Sequence, residues 1–132
     1  MQPRYRSIVL DAKFTLAPVG RNAESYRLWE AAEAGSVPVV VLGRQYERMW
    51  EDCKNGLHPL MWSKAPFIWA DNWQSAFEKM LALNSNAKEL AQRQDDLLDW
   101  YHGYMRSLCG TFERELASVM AGTLKLDAHW SA

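Results

Sequence analysis

Chemistry built on cysteine or histidine has little to draw on in this sequence of 132 residues, which holds two cysteines and three histidines. Cys53 and Cys109 lie far apart and fit no metal-ligand spacing, so a disulfide and a pair of buried thiols both stay open as readings. Asp95 and Asp96 are adjacent rather than spaced as Asp-x-Asp, and they read as a solvated helix pair; no metal site is expected. No stretch approaches the roughly 20 apolar residues of a membrane span, and the opening Met-Gln-Pro-Arg-Tyr-Arg lacks the apolar run of a signal peptide. The chain therefore reads as soluble, with no membrane segment. Excess charge is missing too: Lys and Arg number 15 against 16 Asp and Glu, a formal net charge of -1. That balance gives no bulk reason to bind nucleic acid or an anionic membrane, so any anion site must be local. Internal repeats, low-complexity segments and Asn-x-Ser/Thr acceptors are all absent.

What is present is apolar content, 48% of residues, ample for one core. It is arranged as short uncharged runs alternating with helical periodicity. Phe14-Thr15-Leu16-Ala17 carries no charge, as expected of a strand covered on both faces, and Pro18 ends it. Gly20 makes a turn, residues 23–34 read as a helix with Asn22 as N-cap, Gly35 stops that helix, and Val37 to Val41 form a second buried strand. Two such strands joined through one helix make a parallel βαβ crossover. Its first loop opens onto a helix N-terminus, a geometry that suits a phosphate.

Before this unit, Tyr5, Ile8, Val9 and Leu10 read as a short helix with Pro3 at its opening. After it, residues 43–65 read as a long loop, relieved only by a short helix over 45–52. Phe67-Ile68-Trp69 makes a third strand, and Asp71 or Asn72 caps a helix over 73–83 with Phe77, Met80 and Leu81 on one stripe. From Asn86 to Met120, the residues Leu90, Leu97, Tyr101, Tyr104, Leu108, Phe112, Leu116 and Val119 fall on one apolar face. Gly103 and Gly110 predict a bend or a break there. The fold class is α/β: half of a Rossmann-like domain, three parallel strands at 13–18, 37–42 and 66–70 with helices on both faces, then a long C-terminal helix or helices. One partial domain is expected, with a βαβ core over 1–83, a helical region over 84–121 and a loose tail over 122–132.

On residue chemistry alone the candidates keep two readings each. Gly20 serves a turn of positive φ or the close approach of a phosphate, and the two are compatible. Glu24 and Ser25 touch ligand hydroxyls or cap the helix. Arg27 offers a planar fork to a diphosphate or is a solvated helix residue. Glu30 matches the vicinal diol of a ribose or pairs on the surface with Arg27. Tyr26, Leu28, Trp29, Ala31 and Ala32 supply buried surface to the helix. Trp50, Trp62, Trp69 and Trp73 crowd one segment and read mostly as core. His58 is a loop histidine with no orienting carboxylate, a weak candidate for a base.

The pattern Phe14-x-Leu16-x-Pro18-x-Gly20, then Glu24-Ser25-x-Arg27-x-x-Glu30-Ala31, then Gly35-Ser36-x-Pro38-Val39-Val40 resembles the donor-binding half of exostosin-type glycosyltransferases, with spelling nearest their ribitol xylosyltransferase branch. The resemblance spans roughly residues 5–118, including Asp71-x-Trp73 and Trp100-Tyr101-His102-Gly103-Tyr104-Met105-Arg106, and is most specific over 14–41. It implies the C-terminal domain of a GT-B enzyme that inverts configuration without metal or other cofactor, passing xylose or a related sugar from a UDP-sugar to a glycan acceptor in the Golgi lumen. Gly20, Glu24, Ser25, Arg27 and Glu30 would then bind the donor, with Glu30 on the ribose and Arg27 on the departing diphosphate, and the base would lie outside this segment. Partners would be the nucleotide sugar, the glycan, and a missing N-terminal domain or a self-dimer. The competing expectation is a non-catalytic α/β binding module with a decayed donor site.

Overall fold

The structure is a computed structural model and describes residues 3–18, 25–42 and 57–122. It divides into two units, Met1–Tyr101 and His102–Ala132.

In the first unit, helix α1 (Pro3–Asp11) leads into strand β1 (Phe14–Leu16), helix α2 (Tyr26–Glu33) and strand β2 (Val37–Val41). A short helix α3 (His58–Trp62), strand β3 (Ile68–Ala70) and helix α4 (Trp73–Ser85) follow, and helix α5 (Ala87–Met120) carries the chain into the second unit. The strands form one parallel sheet in the order β1-β2-β3, with Phe14 opposite Val37 and Val39 opposite Ile68. The expected three parallel strands with flanking helices are therefore present, each strand shorter than its apolar run.

The sheet is built around β2. Val37, Val39 and Val40 are fully buried, as a central parallel strand requires, and Pro38 is buried with them. β1 departs from the expectation of cover on both faces: Phe14 and Thr15 are half-buried and Leu16 is exposed, because among the described residues β1 is an edge strand with one neighbour. Its side chains alternate between faces. Thr15 meets Ser36, just beyond the end of α2, whereas Leu16 lies with Trp73 and Phe77 of α4. α2 and α4 thus cover opposite faces.

Helix α2 begins later than the sequence pattern indicates. Ser25 sits at the N-cap in an extended conformation (φ -122, ψ 150), so the helix does not run through it as the expected span over 23–34 required; Asn22 lies outside the described residues. Leu28, Ala31 and Ala32 form its buried stripe, the two alanines permitting close approach to the sheet. Tyr26, expected inside, is 88% exposed, since it precedes the first turn that packs. Gly35 ends the helix at φ +72, a conformation that glycine adopts without Cβ strain.

Within the expected loop, residues 58–62 form a helix. α3 inserts Leu57 and Leu60 fully into the core, an anchor that its five residues do not announce by periodicity. Ser63 caps this turn through a bond to the Leu60 carbonyl (2.9 Å) and accepts one from the Trp100 indole (3.2 Å). The helix expected over 45–52 lies outside the described residues. α4 is capped by Asn72, whose side chain accepts from the Ser75 N–H at 2.8 Å. Its expected stripe is a stripe but not a buried one: Phe77 and Leu81 are exposed, and Ala76 and Leu83 carry the packing.

The start of α5 seats against the first unit's core. Leu90 and Leu97 are buried, Gln94 donates to the Gly35 carbonyl (3.0 Å), and Trp100 stacks on Trp29 with ring centres 6.4 Å apart. Phe67 meets Trp100 edge-on at 5.2 Å. α5 runs as one helix of 34 residues, so Gly103 and Gly110 do not break it. Each glycine costs only about 1 kcal/mol in a helix, and the residues around them are good helix formers. In the second unit Leu108, Phe112, Leu116 and Met120 recur every four residues and are exposed. Among the described residues no helix is long and apolar enough to cross a membrane.

Candidate functional site

In an open parallel sheet, ligands gather at the carboxyl ends of the strands, where the loops leave for the helix N-termini. Here that edge carries Ala17 and Pro18 after β1, Ser25 to Arg27 at the start of α2, Leu42 after β2, and Asp71 to Trp73 after β3. Gly20 and Glu24 lie outside the described residues; Ser25, Arg27 and Glu30 lie within them.

Ser25 holds the N-cap position of α2, and its hydroxyl makes no cap bond. Of its two readings, capping is therefore the one the structure does not show, and the hydroxyl stays available at the helix mouth. The first intrahelical bond beyond it runs from the Leu28 N–H to the Ser25 carbonyl (3.0 Å), so the N–H groups of Tyr26 and Arg27 precede the hydrogen-bonded ladder. These are the donors that, with the positive end of the helix, favour an anion.

Arg27 is exposed on the first turn, and among the described residues it has no hydrogen bond or ion pair. Glu30 is half-buried and likewise unpaired. The surface reading of these two as a mutual pair is thus not what the structure contains. Glu30 lines a cleft of about 420 Å³ between α1 and α2 together with Arg6, Val9, Leu10 and Glu33, a cleft that Arg27 does not line. Arg6 went unnoticed in the sequence, because nothing in the spacing of α1 marks the side that meets α2.

Two aromatic rings frame the same edge. Tyr26 opens α2 and Trp73 opens α4, both at their first helical residues and both substantially exposed. The tryptophan cluster is therefore not mostly core: Trp62 and Trp73 are exposed and Trp69 is half-buried, its indole donating to the Ala65 carbonyl at 3.2 Å. Trp50 lies outside the described residues. His58 is the first residue of α3 rather than a loop residue. Cys109 is a free, exposed thiol, not a buried one, and Cys53 lies outside the described residues. Asp95 and Asp96 are exposed, as expected of a solvated pair, and among the described residues no group of three or more His, Cys, Asp or Glu side chains is placed to hold a metal ion.

A parallel βαβ unit with an uncapped helix mouth and a free arginine at its carboxyl edge defines a Rossmann-like α/β domain. More narrowly, the chain belongs to the family described as the RXYLT1 C-terminal domain, whose model matches residues 1–120. It is 34% identical over 122 residues to ribitol-5-phosphate xylosyltransferase 1 of Mus musculus, covering 86% of this chain and 27% of that protein. The proteins of the same name from Homo sapiens (34% over 126 residues) and Danio rerio (31% over 116) are similar to 86% of the chain, which covers 27% and 26% of them. The chain thus spans about a quarter of the length of these relatives. No solved structure matches it.

Proposed function

We propose that this chain is the nucleotide-sugar-binding part of an inverting glycosyltransferase that transfers xylose, or a closely related sugar, from a UDP-sugar to a glycan acceptor. Arg27 carries the reading: it stands without a partner on the first turn of the helix that follows β1. A guanidinium fork there can meet both phosphates of a nucleoside diphosphate and stabilise the charge that grows as the sugar leaves. Membership of a family whose relatives are named as xylosyltransferases supports the sugar and the reaction class. The Ser25 hydroxyl, the first-turn N–H groups, Gly20 and Glu24 complete the donor site, and Glu30 takes the ribose diol from the second turn. The site uses no metal or other cofactor. The general base lies outside these residues, so the chain alone binds donor without turning it over. A Golgi-lumenal setting goes with this reaction.

The test is a titration of UDP into the isolated chain, followed by backbone amide shifts. Residues 20–27 are expected to move first, and Arg27→Ala to abolish their movement. Shifts confined to α5 would remove the donor site from α2 and favour the non-catalytic module.

A further inference from the structure

The two edges of the sheet are finished differently. In a parallel ladder alternate residues turn their N–H and C=O groups toward a given neighbour. At the β3 edge, the Leu42 N–H donates to the Ala70 carbonyl (2.7 Å), so Ile68 and Ala70 face β2 and Trp69 faces outward. The Trp69 carbonyl is covered: the Lys79 ammonium of α4 donates to it at 2.6 Å. A charged lysine folded over an edge is a recognised way of closing it to further strands.

At the β1 edge, the Val37 N–H donates to the Lys13 carbonyl and the Ala17 N–H to the Val39 carbonyl, each at 3.0 Å. Residues 13, 15 and 17 therefore serve β2, and the backbone groups of Phe14 and Leu16 point away from the sheet. Among the described residues neither has a backbone partner on that side. Among the described residues no charged side chain is hydrogen-bonded to them. The adjoining surface is apolar instead: Leu16 is 49% exposed and shares a cleft of about 430 Å³ with Trp73, Phe77 and Met80 of α4. Trp73, Phe77 and Leu81, four residues apart along α4, are each about half exposed. A helix stripe of this kind is normally laid against a sheet, yet among the described residues Leu16 is the one sheet residue that lines its cleft.

We infer that the open edge of β1 and the Trp73-Phe77-Leu81 stripe together receive a further β-strand, contributed by the part of the polypeptide that precedes the matched region in the family's full-length members. The family region is a C-terminal domain, and about three quarters of each relative lies outside it, so chain to supply the strand is at hand. A second copy of this chain is the poorer occupant: its own open edge is only three residues long and would satisfy few bonds. The inference rests on the family assignment and on the edge, and holds whether or not α2 binds a nucleotide.

The experiment compares residue-resolved amide hydrogen exchange in the isolated chain with that in a chimera, the mouse relative carrying residues 1–120 of this chain in place of its own matched segment. Phe14 and Leu16 amides are expected to exchange fast in the isolated chain at every concentration, and at least ~100-fold more slowly in the chimera. Fast exchange in both overturns the inference. Protection that grows with concentration in the isolated chain overturns it in favour of a second copy. Should the chimera not be secreted, the mouse relative itself decides, since slow exchange is expected at its two residues aligned with Phe14 and Leu16 and fast exchange there overturns the proposal equally. Phe77→Asp adds an independent arm: the isolated chain's unfolding midpoint should be unchanged, while the chimera's secreted yield falls severalfold. An unaffected yield counts against the stripe as part of the contact.

Discussion

The hydroxyl groups of Thr15 and Ser36 lie 2.7 Å apart, joining the first strand of the crossover to the residue that follows its helix. Ser36 is fully buried, so the Thr15 hydroxyl is its substitute for water. Thr15→Val is expected to destabilise the domain by about 1–3 kcal/mol, because it strands the buried Ser36 hydroxyl without a partner. Thr15→Val with Ser36→Ala should recover much of that loss, since removing both partners leaves nothing unsatisfied. Chemical denaturation of the two single variants and the double gives the coupling directly, and strict additivity would count against the bond.

At Gly35 the backbone rather than the space decides the outcome of substitution. A Cβ there would meet Leu98 at 3.5 Å, an ordinary contact, but φ is +72. Gly35→Ala should therefore cost about 1–2 kcal/mol. Gly35→Asn should be milder, because asparagine tolerates this region better. Equal losses in the two denaturation midpoints would point to crowding by α5 instead.

Tyr101 supplies a pH dependence. Its phenol is raised above the ordinary value of about 10, first by burial and then by the negative charge of Glu33. Folding thus favours the neutral phenol, and the stabilisation is complete below about pH 10 and is lost as pH rises through the folded value. Ultraviolet titration should show one tyrosine ionising late, with Glu33→Gln bringing it part of the way back. Tyr101→Phe should flatten the alkaline fall in stability; an unchanged fall would assign it to other groups.

Arg27 and Glu30 should separate in kinetics once this segment is placed in a full-length enzyme. If the proposed donor site is right, Glu30→Gln gives up charge-assisted bonds to a ribose remote from the reacting carbon, so donor KM is expected to rise about tenfold or more. On the same proposal, Arg27→Lys keeps the charge but loses the planar fork offered to the departing diphosphate, so the loss should fall mainly on kcat. Unchanged parameters in both variants would remove both residues from the site.

Much of the first unit was legible in sequence wherever one residue has one job. Gly35, Asn72, Pro3 and the uncharged run through Val39 each mark a cap, a stop or a buried strand by local chemistry, and the structure uses them so. Burial was harder to read, because periodicity reports which residues share a face and not whether anything covers it. Phe77 and Leu81 do share a stripe, and Leu108, Phe112 and Leu116 another, yet both are exposed. Conversely, Leu57 and Leu60 are buried within a segment too short to show a period. The start of α2 was not legible, since Ser25 is as good a cap by residue type as the Asn22 that the pattern suggested, and the structure places Ser25 at the N-cap.

The Lys79 ammonium on the Trp69 carbonyl gives the domain a direction of growth. A sheet with two open edges can polymerise, each copy templating the next into a fibre. With one edge closed, any accidental pairing of two β1 edges leaves a lysine-sealed strand at both outer ends, and the assembly stops at two. The same side chain that finishes the fold on one side therefore opposes open-ended growth of the sheet.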